Sequence, residues 1–130
     1  MNARALTVVS GVAVLAVVAG VGFAAKAADE QVSYRLDVQP ILTARCGECH
    51  SPGGEGYQKS GLDLTSYHGL MTGTKHGAIV IPGEPLRSNL LVLVEGRADP
   101  SLRMPHSGPP LLKAQVQIIR DWVRQGAKDN

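Results

Sequence analysis

Between Ala5 and Ala25 the chain carries no charge, and this run decides how much sequence is left to fold. Arg4 precedes it and Lys26 follows it. The run exceeds the roughly 7–15 apolar residues of a secretory signal and reaches the roughly 18–20 that span a bilayer. About half of it, however, is Ala, Gly, Ser and Thr, which contribute little to insertion. The small-x-small triplet Ala25-Lys26-Ala27 follows at once and fits a cleavage site. Residues 1–27 are therefore read as a signal peptide, with an uncleaved membrane anchor through residues 5–25 as the alternative, and residues 28–130 as one domain. Either reading exports that domain to the periplasm, free or held at the inner membrane and facing it.

What remains is short for a self-sufficient core. Roughly 100 residues carry only Tyr34, Tyr57, Tyr67 and Trp122 as aromatics. At this size a disulfide, a metal or a cofactor commonly supplements packing. Without Arg4 and Lys26 the basic and acidic residues balance, so there is no basic footprint for nucleic acid and no strong field to capture one particular partner.

The coarse pattern is helical. Leu36, Val38, Ile41 and Leu42 have helix-compatible spacings, but Pro40 limits the segment to a turn over Tyr34–Gln39 followed by a short helix into the cysteines. Glycines and Pro52 predict a loop over Ser51–Gly61. A brief helix is expected over Ser66–Met71, and another over Ser88–Val94 with Ser88 as N-cap. Ala78-Ile79-Val80-Ile81 has strand propensity, but Pro82-Gly83 ends it and no partner strand is evident, so it is read as buried extended chain. Leu112, Val116, Ile119, Trp122 and Val123 predict an amphipathic terminal helix closed by Gly126.

The two cysteines of the chain lie in Cys46-Gly47-Glu48-Cys49-His50. This is the C-x-x-C-H spacing of covalent haem attachment, in which two thiols reach two vinyl groups on one porphyrin edge and the adjacent histidine comes under the iron. Three other readings compete: a plain disulfide, a thiol-exchange site, and a zinc site. An exchanger needs a preceding strand in a βαβ context, which Val38–Arg45 does not supply. Zinc needs a fourth ligand, for which His68, His76 and His106 are the remaining histidines. One covalently bound haem c is the reading adopted.

A six-coordinate haem needs a second axial ligand, and Met71, Met104, His68, His76 and His106 are available. Met104 is chosen, with His106 behind it. It lies in the polar stretch Arg103-Met104-Pro105-His106, where Pro105 biases its predecessor toward extended backbone and the flanking residues make a poor core segment.

Several blocks together carry a family resemblance: Val38-Gln39-Pro40-Ile41-Leu42 before the cysteines, Gly61-Leu62-Asp63-Leu64, Pro82-Gly83-Glu84-Pro85 with Ser88 and Leu90, Met104-Pro105, and Trp122 to Ala127. The chain resembles the monohaem cytochrome c domains of planctomycete-type bacterial proteins. The resemblance implies an all-α cytochrome c fold of about three to five short helices wrapped around one haem, with the helix before the cysteines packed against the terminal helix. It also suggests that a backbone carbonyl in Gly61–Leu64 meets the second ring nitrogen of His50, although Leu62 stands where many relatives have proline.

The expected function is single-electron transfer between redox donor and acceptor proteins, with His50 and Met104 as axial iron ligands throughout. A thioether ligand and a buried haem favour the reduced state, so a relatively high potential is expected. Two other functions compete: a haem-bearing subunit or catalyst such as a periplasmic peroxidase, which needs an open iron position, and a sensory or structural haem module.

Overall fold

The computed structural model describes residues 30–130, and its first element starts at a serine. Ser33 Oγ accepts the Leu36 N–H at 3.2 Å while the Asp37 carboxylate accepts the Ser33 N–H at 2.8 Å, so two backbone donors are satisfied reciprocally. The chain is π-helical over Tyr34–Val38 and runs on directly as α1, Gln39–Cys46. Where the sequence predicts a turn, the structure has one wide helical turn. Pro40 falls in the first turn of α1, where a missing N–H costs little. The buried face is Tyr34, Val38, Ile41 and Leu42; Leu36, expected on it, is exposed because it sits midway between Tyr34 and Val38.

The loop predicted over Ser51–Gly61 contains a helix, α2, Glu55–Ser60. Its flanking glycines mark the ends: Gly54 is extended before it, and Gly61 closes it in the left-handed region at φ 76°. Helix α3, Tyr67–Thr72, starts as expected, with Ser66 Oγ accepting the Gly69 N–H at 3.0 Å. Ile79 and Val80 are buried, and no strand forms among the described residues beyond a lone bridge between Thr74 and Gly77. Helix α4, Asn89–Val94, follows Ser88, but the Ser88 hydroxyl does not cap it. It accepts the Ile81 N–H at 2.9 Å and donates to the Glu84 carbonyl at 3.0 Å, pinning the preceding connection instead.

After a 3-10 turn at Pro100–Leu102, the longest helix among the described residues, α5, spans Lys113–Arg124. Ile119, Trp122 and Val123 are buried and Val116 is partly so. Leu112 is 67% exposed, whereas Leu111 is buried. The helix begins only at Lys113, so Leu112 lies outside its phase. Gly126 N–H donates to Val123 and Ala127 N–H to Trp122, the paired bonds of a Schellman closure around a glycine at φ 101°.

Helix α5 packs chiefly on Tyr34–Val38 and α4. At that junction Tyr34 stands edge-on to Tyr67 with ring centres 5.2 Å apart, and 5.5 Å from Trp122. Tyr67 Oη donates to the Ala127 carbonyl and Trp122 Nε1 to the Lys128 carbonyl. Asn130 completes the region by accepting the Tyr34 N–H on its side chain and the Arg35 N–H on its backbone oxygen. The described chain is thus mostly helical, consistent with an all-α fold. No helix among the described residues is long and apolar enough to cross a membrane. The uncharged run 5–25 and the boundary after residue 27 lie outside the described residues.

Candidate functional site

Cys46 ends α1 and the following turn keeps a near-helical path, with the His50 N–H donating to the Cys46 carbonyl at 2.9 Å. This coiling gathers Cys46, Cys49 and His50 around one turn. Helix α2 then folds back onto it. The Tyr57 N–H donates to the Cys49 carbonyl at 2.9 Å, and a Cβ on Gly54 would lie only 2.5 Å from that oxygen. Beyond α2, the Leu64 N–H donates to the His50 carbonyl at 2.8 Å.

These elements form one wall of a cleft of about 540 Å³, a volume in the range of small-molecule and cofactor sites. Arg45, Cys46, Cys49 and His50 line that wall, and Met104, Pro105 and His106 line the cleft from the other loop. Leu62, Leu64, Ile79, Leu90, Leu93 and Val94 make the interior apolar. Met104 is held there because its N–H donates to the Leu93 carbonyl of α4 at 3.2 Å. Its peptide bond to Pro105 is cis. The Arg45 guanidinium donates to the carbonyls of Pro109 and Pro110, joining the end of α1 to the Met104 loop.

The structure therefore brings together Cys46, Cys49, His50 and Met104, with His106 exposed at the same cleft. His68 and His76 are exposed and do not line it, and Met71 packs against the core instead.

Burial pushes the Cys46 thiol up to about 11, against the opposing pull of the Arg45 guanidinium. Burial also lowers the His50 imidazole below its ordinary value, and the charge of His106 adds to this. The Leu62 backbone acts the other way, favouring the protonated ring. It nevertheless makes no hydrogen bond of acceptable geometry to Nδ1, which is buried and without a partner. A neutral His50 is the form that ligates a metal.

Cys46 and Cys49 are free. Among the described residues no three His, Cys, Asp or Glu side chains converge as a structural zinc site requires.

Among the described residues, a mostly helical domain with a C-x-x-C-H turn on one wall of an apolar cleft is consistent with the class of c-type cytochromes. Residues 46–108 match the family described as Planctomycete cytochrome C, consistent with a planctomycete-type cytochrome c domain. The match runs from Cys46 past Met104 and ends before α5. No curated protein and no solved structure matches the chain. The family implies haem and haem-based electron transfer. The cleft fits that group: thiols, an imidazole and a thioether border one apolar volume, and the one buried side-chain nitrogen without a partner among the described residues belongs to its histidine.

Sequence reasoning missed Arg45, the apolar wall supplied by α4, and the close nesting of α2 on the motif. Only the last has a readable signal, in Gly54 and Gly56, and the same glycines equally suit a loop.

Proposed function

We propose that this protein is an exported monohaem cytochrome that passes single electrons between redox proteins in the periplasm. The observation that carries the reading is the convergence of Cys46, Cys49, His50 and Met104 on one cleft from chain segments far apart in sequence. Cys46 and Cys49 would hold the haem covalently, and His50 and Met104 would ligate its iron. Bound there, haem supplies a one-electron ferric/ferrous couple.

The chain's own residues set the terms of that couple. Burial keeps His50 neutral and ready to ligate. The leucine, isoleucine and valine wall keeps water away and disfavours the extra positive charge of the oxidised state. The backbone bonds of Met104 to Leu93 and of Leu64 to His50 hold both ligand-bearing segments in place, so little needs to rearrange when the charge changes. The leader through residue 27 delivers the thiols to the compartment where attachment takes place.

Expression with a haem-attachment system, followed by intact mass and oxidised and reduced spectra, tests this directly. The mass of one haem is expected, with a weak near-infrared thioether-to-iron band in the oxidised protein. A mass without haem overturns the reading. A missing near-infrared band removes Met104 as ligand, and rapid carbon monoxide binding by the reduced protein at neutral pH favours a catalyst over a carrier.

A further inference from the structure

Gly56 stands inside α2, where glycine weakens a helix relative to alanine. Its backbone does not need glycine, because its φ is not among the positive values in the chain. The space beside it does. A Cβ at this position would lie 2.9 Å from His50 Cε1, 3.0 Å from His50 Nε2 and 3.0 Å from the Cys49 carbonyl oxygen. The helix cannot draw back to make room. The Tyr57 N–H is bonded to that same Cys49 oxygen at 2.9 Å, which ties the helix to the motif.

We propose that Gly56 is a positioning residue for His50: its bare α-carbon is the surface against which the imidazole lies, and it fixes the orientation of that ring. The proposal rests on His50 being the axial ligand. A free ring could swing away from an added methyl, whereas a ring bonded to iron, on a haem held by two thioethers, could not. The stress of a larger residue at 56 must then appear at the iron rather than in the helix.

The test compares Gly56→Ala with Gln58→Ala in the haem-loaded protein. Gln58 shares the helix, and its side chain donates to Gly53 outside the cleft. Both variants are expected to carry haem by mass. Gly56→Ala alone should shift the ferric g values and the near-infrared band, and should lower the melting temperature despite its better helix propensity. Unchanged spectra with a raised melting temperature, as alanine gives in an open helix, overturn the proposal and leave the cytochrome reading standing. A wild-type mass without haem removes both. If Gly56→Ala gives no folded holoprotein, the ferrous wild type decides by NMR. A nuclear Overhauser contact between the His50 ring proton on Cε1 and the Gly56 α-protons is expected, and its absence overturns the proposal.

Discussion

Trp122 and Met104 sit in regions built on different terms. Around Trp122, three aromatic rings, the first helical turn and the Asn130 segment close on one another through apolar contact and through hydrogen bonds between the two ends of the described chain. Around Met104, two loops and the short helix α2 face an open volume and are held mainly by backbone bonds and the reach of Arg45. The first region stabilises the domain by itself. The second is shaped for something that fills it, and the thin core anticipated from four aromatics is thin on this side. Truncations at the aromatic end should therefore lower stability with little spectral change, and substitutions at the cleft should show chiefly in the spectra.

The largest effect is expected from Trp122→Ala. The side chain is 1% exposed and touches both Tyr34 and Tyr67, and its indole N–H is bonded to Lys128. Truncating such a residue costs about 3–5 kcal/mol, a large part of a small domain's total stability. Denaturant unfolding should show that loss. Any holoprotein that survives should keep its near-infrared band, and a ligand-field change as large as that of a cleft variant would break the distinction.

Glu95 sits where the two regions meet. It follows α4, whose side chains wall the cleft, and its carboxylate pairs with Arg97 and with Arg120 of α5. Its side chain is 11% exposed while the two arginines are about a third exposed, so Glu95→Gln leaves two partly hydrated cations facing each other. A loss of about 2 kcal/mol is expected, below that of a fully buried pair. Because α4 carries the Leu93 carbonyl that holds Met104, this variant should show a stability loss together with a small spectral shift.

How much of this was legible in the sequence follows the same division. The thiol spacing, the terminal helix with its closing glycine, and the brief helix near Ser66–Met71 are local patterns, and the structure keeps them because nothing distant competes. Ser88 read as a cap because its position is right, but its hydroxyl has tertiary partners in Ile81 and Glu84. Leu112 read as core because the apolar period was extended one residue past the helix start. Helix α2 was hidden because Gly54 and Gly56 suggest turns, whereas their role is to let one segment approach another closely. Composition alone does not separate these two uses. The approach of Met104 to the cysteine motif is a tertiary fact, and its sequence trace was the poor fit of its neighbours to a core.

Tyr34→Phe should act in the opposite direction. Tyr34 is 2% exposed, and its hydroxyl is buried without a partner, so removing it should stabilise the protein by about 1 kcal/mol at neutral pH. Burial first, with Asp129 and Asp63 adding to it, pushes the phenol up to about 12 from 10.0. A raised phenol pKa means that the native state keeps a proton the unfolded state gives up. Stability from this group is intact below pH 10 and is lost as pH rises toward 12, by up to roughly 2–3 kcal/mol. The advantage of the phenylalanine variant should widen over that window, and parallel stability curves would show that Oη is reached by water in solution.

The smallest stability effect, and the sharpest test of the comparison, is expected from Arg45→Ala. Its guanidinium is partly exposed and makes hydrogen bonds to two carbonyls, worth about 1 kcal/mol in total against the water that would replace them. Those carbonyls belong to Pro109 and Pro110, on the segment that leads back to Met104. Cutting the bonds frees one end of that segment while the Met104 bond to Leu93 still holds the other. The melting temperature should therefore fall by only about 4–8 °C, less than in the Glu95 variant, while the near-infrared band weakens and carbon monoxide gains access to the reduced iron. If the melting temperature falls as far as in the Glu95 variant and the band is untouched, then Arg45 belongs to the packed region and the cleft is closed by other means.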